Sequence, residues 1–420
     1  MFRAFTIISA LLLMSFFVSV DAQIKLSENA KISLMTTSPW SGASYALFGH
    51  TAIYVSDDST GVEGVFNYGF FDMSQPFFMY NFVRGKTDYL LGVQSLDQFL
   101  EDYAKKGVEV MEQELNLRSD EKQELWEALY INQLPENRMY RYNYFYDNCV
   151  TRPRDLIEIF TKGEIKYPDD NEEQTYRDLI HECVNSYPWM RFGIDLIIGS
   201  DADKPITLRQ KMFLPVYLKN ALTETVVIRK DSVYEPIILS DRVIVEKSAQ
   251  DKSINEWSIG SPMIIAFALI ILSIIVSLIQ IRLMRQNVIT KIYDSIIFGV
   301  VGAGGIIIFF LSFFSEHPAV DSNWNFVWMN ILTLIVPTFI WLKRTKNVVN
   351  FYHFINFVVL SLFILLWWAI PQQLPIETIF FSISIWIRSG INTYMFRKDR
   401  ITNKRYSSSK YIKSGWNKNI

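Results

Sequence analysis

The chain has 420 residues, 50% of them hydrophobic and 20% charged, and its formal net charge of -2 hides two unlike halves. Residues 23–261 carry 25 Lys and Arg against 37 Asp and Glu, a balance of -12, while 262–420 carry 15 against 5, a balance of +10. The apolar runs of the second half exceed what one soluble core needs, which excludes a single globular protein, and a basic excess beside those runs with an acidic soluble half argues against a nucleic-acid binder.

Residues 1–22 begin with Arg3, continue through an apolar stretch and end Val20-Asp21-Ala22, the small-x-small pattern of an export signal cleaved after Ala22; an uncleaved anchor helix is the alternative. Between 31 and 118, β-branched and aromatic residues predict strands at 31–37, 50–55, 64–68 and 88–94, with Asp57-Asp58-Ser59-Thr60-Gly61 as a turn. An amphipathic helix follows to about Asn132, with Ser119 as its N-cap and Lys122 where a capping-box acid would stand. A second helix starts at or just after Cys149, because Pro153 is tolerated only in a first turn.

Cys149 and Cys183 are the only cysteines, and in an oxidising compartment two cysteines can simply form a disulfide. Their contexts differ. Cys149 follows the aromatic run Tyr144-Phe145-Tyr146-Asp147-Asn148 at a helix start, where unpaired N–H groups lower a thiol pKa; Cys183 lies in an ordinary amphipathic stretch, which points to a structural residue. A nucleophilic thiol needs a base, and the exported part holds only His50 and His181. His50 stands on a strand with Gly49 leaving its ring open to approach, although a lone His on a strand is also a common structural residue. Residues 219–261 read as a β-rich connector.

From 262 onward five apolar segments, 263–281, 295–314, 326–342, 351–370 and 376–396, are each near the ~20 residues that cross a bilayer. Arg282, Arg285 and Lys291 fall in the first loop, Lys343, Arg344 and Lys346 in the third, and the tail 397–420 is basic, while the loops 315–325 and 371–375 have no Lys or Arg. With an exported N-terminal domain, the positive-inside rule gives the same topology and a cytoplasmic C-terminus. The outer loop carries Glu316, His317, Asn323 and Asn325, either as an ordinary solvated loop or as donors for a lipid headgroup or an acceptor amine.

Phe48-Gly49-His50, Phe66-Asn67-Tyr68-Gly69-Phe70-Phe71-Asp72, Pro135-Glu136-Asn137-Arg138 and Asp147-Asn148-Cys149-Val150-Thr151-Arg152-Pro153-Arg154-Asp155, followed by the five-segment tail, resemble the Lnb-type lipoprotein N-acyltransferases. His before Cys also resembles the permuted papain-like superfamily of NlpC-type and lecithin-retinol acyltransferase-like enzymes. The resemblance implies an α+β permuted papain-like periplasmic domain at 23–218 and an all-α five-helix transmembrane domain at 262–396, in a bacterial inner membrane. It implies transfer of an acyl chain from a phospholipid to the α-amino group of a diacylglyceryl-cysteine on a lipoprotein, with Cys149 as nucleophile, His50 as base and no metal or cofactor. A polar residue on the next strand would orient His50, Asn67 before Tyr68 since only one can face it. The Cys149 N–H and the Asn148 side chain would hold the oxyanion, and Arg152 and Arg154 either grip a phosphate or pair with Asp155 and Glu158. The rivals are an envelope cell-wall peptidase of the same fold, for which one anchor would suffice, and a non-enzymatic envelope scaffold.

Overall fold

The computed structural model describes residues 24–229, 233–248 and 259–416, so the expected export signal at 1–22 lies outside the described residues. Among the described residues ten strands form, β1 (Lys31–Thr37), β2 (His50–Asp57), β3 (Val62–Phe70), β4 (Asp88–Gln94), β5 (Val110–Leu115), β6 (Met139–Arg141), β7 (Glu164–Lys166), β8 (Val226–Ile228), β9 (Tyr234–Pro236) and β10 (Ile238–Val245). Seven build one antiparallel sheet in the order β10-β5-β1-β2-β3-β4-β6, and β7, β8 and β9 make a small second sheet. The helices of this half are α1 (Phe78–Val83), α2 (Leu96–Lys106), α3 (Ser119–Asn132), α4 (Thr151–Phe160), α5 (Tyr176–Val184), α6 (Pro188–Ile197), α7 (Leu208–Lys211) and α8 (Pro215–Glu224).

Strand alternation sorts the core onto two faces. Ile32, Leu34, Ile53, Val55, Phe66 and Tyr68 pack with Leu125, Trp126 and Leu129 of α3 and Ile157 of α4. Met35, Ala52 and Val65 point the other way, onto Phe99 of α2. Two expectations shift. The α3 cap begins one residue early, because the Arg118 N–H donates to Glu121 Oε2 at 2.7 Å and Glu121, not Lys122, supplies the capping carboxylate. The expected β-rich connector holds β8, β9 and β10, with its start at residue 219 falling inside α8 and β10 lying beside β5 at the edge of the main sheet.

The second half holds α9 (Pro262–Leu283), α10 (Val288–Phe314), α11 (Ile335–Phe339), α12 (Lys346–Leu365) and α13 (Glu377–Trp416). Among the described residues three helical stretches are long and apolar enough to cross a membrane, Pro262–Leu283, Val288–Phe314 and Lys343–Leu365. The expected third segment is not one helix: 3-10 turns at Trp324–Val327 and Ile331–Leu334 precede the short α11, which carries Pro337. It lies so close to α10 that a Cβ on Gly305 would stand 2.5 Å from the Asn330 carbonyl carbon. Arg388 of α13 and Asp294 of α10 are both fully buried, with Arg388 Nε donating to Asp294 Oδ1 at 2.6 Å and its remaining N–H groups reaching Ser277 and Gln280.

Candidate active site

Pairing between β2 and β3 runs only from Ile53↔Phe66 to Asp57↔Val62, so the first residues of β2 have no β3 partner. Gly69, at φ 100°, bends β3 away there, and the space opened is filled by Cys149, whose Cβ would lie 3.5 Å from a Cβ on Gly69. The thiol settles against the N–H of Thr51, the residue after His50. His50 and Cys149 are each partly accessible and mostly packed.

Asn67 completes the group from β3. Its Nδ2 donates to Val65 O at 3.1 Å, which leaves Oδ1 to accept from His50 Nε2–H at 3.1 Å. That orientation assigns the proton to Nε2 and leaves Nδ1 as the basic nitrogen. Tyr68 points to the opposite face of the sheet, where its hydroxyl donates to Asn132 Oδ1 at 2.6 Å.

Electrostatics here run against the sequence expectation. Burial pushes the Cys149 thiol up to about 11, despite the N–H groups of Thr51 and Cys149 that favour its thiolate. Burial also pulls His50 down to about 4, against the raising effect of the Asn67 bond. The resting pair is therefore neutral thiol and neutral imidazole. The helix end does not rescue the thiolate, because Asn148 Oδ1 has taken the N–H groups of Val150 and Thr151 at 2.7 and 2.9 Å.

That same bonding removes Asn148 as an oxyanion donor, since its Nδ2 is spent on Tyr144 O and Phe213 O at 2.8 and 3.0 Å. It caps α4 and sets the angle at which the preceding loop presents the thiol. Neither arginine is left to grip a phosphate. Arg152 makes a two-pronged pair with Asp147 at 2.6 and 2.8 Å and lies 3.6 Å over the Tyr140 ring, while the buried Arg154 bonds Asp155 and Arg209 O. Cys149 and Cys183 are both free, Cys183 sitting in a second apolar cluster around α5.

The outer-loop residues do not reach the thiol; they fasten the two halves together. Glu316 pairs with Lys86 and Arg141, and His317 Nε2–H donates to Phe82 O at 2.7 Å. At the other end of the loop Asn323 Nδ2 donates to Leu196 O and Asn325 Nδ2 to Asp195 O, at 2.8 and 3.0 Å. Between them Gly199 lies so close that a Cβ there would meet Asp321 O at 1.8 Å. The Asp195 carboxylate is buried with Arg177 and His181, which keeps the receiving carbonyls in place.

Sequence reasoning missed the aromatic side of the thiol, where Tyr89, Tyr140 and Tyr142 pack in the same cluster as Cys149. Tyr89 and Tyr142 stack at 4.2 Å. Of the tyrosines at 140, 142, 144 and 146 only Tyr140 and Tyr142 join the cluster that packs the thiol, since the strand ends at Arg141 and Tyr144 turns to the cluster around α5. The chain matches the Lnb N-terminal periplasmic domain over residues 17–182 and the Lnb transmembrane domain over residues 253–400. No curated protein and no solved structure matches it.

Proposed function

The chain belongs to the Lnb family, carrying its periplasmic and transmembrane domains in that order, and from that premise we propose a cysteine-dependent lipoprotein N-acyltransferase of the inner membrane. It moves an acyl chain from a phospholipid to the α-amino group of the N-terminal diacylglyceryl-cysteine of a lipoprotein. The periplasmic domain is read as a permuted papain-like fold, with the base on β2 preceding the nucleophile, and the transmembrane domain as five spans with the C-terminus in the cytoplasm.

One observation carries the reading: Cys149 rests on the backbone of β2 beside His50, whose far nitrogen is held by Asn67. In the first half-reaction Cys149 Sγ attacks the ester carbonyl carbon as its proton passes to His50 Nδ1. Since the resting pair is neutral, bond formation and proton transfer proceed together rather than from a stored ion pair. The N–H of Cys149 receives the developing oxyanion, since those of Asn148, Val150 and Thr151 are taken up within the loop. The C–O bond to glycerol then breaks, the imidazolium proton goes to the departing oxygen, and lysophospholipid leaves a thioester on Cys149. In the second half the lipoprotein amine attacks that thioester, His50 takes the amine proton and returns it to the departing sulfur, and the amide forms with the thiol restored.

The test is mass analysis of the protein after incubation with phospholipid alone. The peptide containing Cys149 should gain one acyl mass that hydroxylamine removes, and Cys149→Ala and His50→Ala should abolish it. Release of a cell-wall peptide fragment by the wild type, with no acyl adduct, would replace this reading with the peptidase.

A further inference from the structure

Between β3 and β4 the chain leaves the sheet and turns apolar side chains outward. Met73, Phe77, Met79, Tyr80 and Phe82 are all exposed, Phe77 most at 80%. Phe77 also sits at φ 59°, a left-handed backbone that bulky residues avoid. Exposed apolar surface on this scale marks a contact with something not water.

We propose that residues 70–83 seat in the outer leaflet of the membrane and lead an acyl chain of a membrane phospholipid to Cys149; the second half of this proposal rests on the acyl-transfer reading. Position is the first argument. The spanning helix α10 ends at Phe314, and two residues later the Glu316 N–H donates to Arg84 O at 2.8 Å while His317 binds Phe82 O. A Cβ on Gly85 would lie 2.8 Å from His317 N, so the end of α1 is pressed against the mouth of a span. Chemistry is the second. The apolar side chains are followed by Arg84, whose guanidinium lies 5.5 Å over the Tyr80 ring, a cation of the kind interfacial segments place at the headgroups. Continuity is the third. Phe82, Phe78 and Phe71 stack at 6.1 and 5.9 Å, Phe71 meets Tyr89 at 5.2 Å, and Tyr89 stacks on Tyr142 beside the thiol. This file of rings starts at the exposed patch and finishes at the nucleophile, which suits a chain that must leave a bilayer without entering water.

The test uses the full chain in nanodiscs of phosphatidylethanolamine and phosphatidylglycerol. A photoreactive p-benzoylphenylalanine replaces Met79 in one sample and, in another, Asp58, in the turn just past the end of β2 away from His50. Irradiation should give a phospholipid adduct at 79 and none at 58, and the adduct at 79 should persist with Cys149→Ala, so that it does not depend on the chemistry. No lipid adduct at 79, or equal yields at both positions, would overturn the membrane seat. Phe77→Asp combined with Met79→Asp should raise the phospholipid concentration for half-maximal thioester formation by about tenfold. An unchanged value would overturn the acyl path even if the adduct forms, and a wild type that forms the adduct but no thioester would remove the acyl-transfer reading while leaving the seat in place.

Discussion

At Cys149 two effects oppose each other, and their sum decides how the thiol reacts. Hydrogen bonds from the Thr51 and Cys149 N–H groups favour the thiolate, burial among tyrosines disfavours it, and burial wins, lifting the pKa from 9.0 to about 11. Iodoacetamide, which needs a thiolate and offers no proton-transfer route, should therefore alkylate Cys149 about tenfold faster for each pH unit gained through the neutral range. A rate already level near neutrality would mean that the thiolate is stored and the neutral-pair mechanism is wrong. His50, held down at about 4, stays neutral throughout and contributes no second inflection. While the roles of His50, Asn67 and Cys149 came from the resemblance, the strand that carries His50 and the helix start after Cys149 were legible as local patterns. The depressed thiol pKa expected from that helix start was not, because the competing cap and the burying rings depend on which side chains meet there. Asn148 shows why: one of its carbonyl partners, Phe213, is 65 residues away.

Among the elements, α10 and α13 are joined by a contact that hydropathy alone would discourage. Arg388 and Asp294 sit inside the membrane half with no exposure, their remaining polar atoms taken up by Ser277, Gln280 and Asn392. Such a pair contributes little net stability, but it is unforgiving when halved. Arg388→Met should destabilise the helical domain by about 3–5 kcal/mol, and adding Asp294→Leu should restore most of the loss, both read as thermal unfolding in detergent. A double variant no better than the single one would show that the network, not the stranded carboxylate, is what the fold requires. Three of the five apolar runs, 263–281, 295–314 and 351–370, coincide with helices long and apolar enough to cross a membrane, with ends shifted by a few residues, while the fifth falls almost wholly in the longer α13. The broken third segment was harder to read, since Pro337 was visible but the close approach of Asn330 to Gly305 was not.

For the whole molecule, the ends of the helices sort into two sets. The residues just before α9, between α10 and the broken segment, and between α12 and α13 touch the periplasmic domain, through Gly260 O with Trp189, Asn325 with Asp195, and Gln372 with Ile198. The opposite ends carry Arg285, Lys291, Lys343 and Lys346, the basic asymmetry from which the sequence already implied an orientation. In a Cys149→Ala, Cys183→Ala background, Asp58→Cys should label with an impermeant maleimide in intact spheroplasts and Lys343→Cys only after permeabilisation. Labelling of both in intact spheroplasts would reverse the fourth helix and break the five-span topology. The loop 315–325 grips the periplasmic domain at both of its ends, by Glu316 and His317 on one side and by Asn323 and Asn325 on the other. Two clasps at separate points restrain rocking of the domain on the helices, and with it the height of the thiol above them. On the acyl-transfer proposal, an enzyme held in that way and drawing donor and acceptor from one leaflet meets both by lateral diffusion in two dimensions. The quantity that governs its encounters is then the mole fraction of each lipid in the surface rather than its molarity in bulk, and inert detergent added at constant total lipid slows it by dilution within the surface alone.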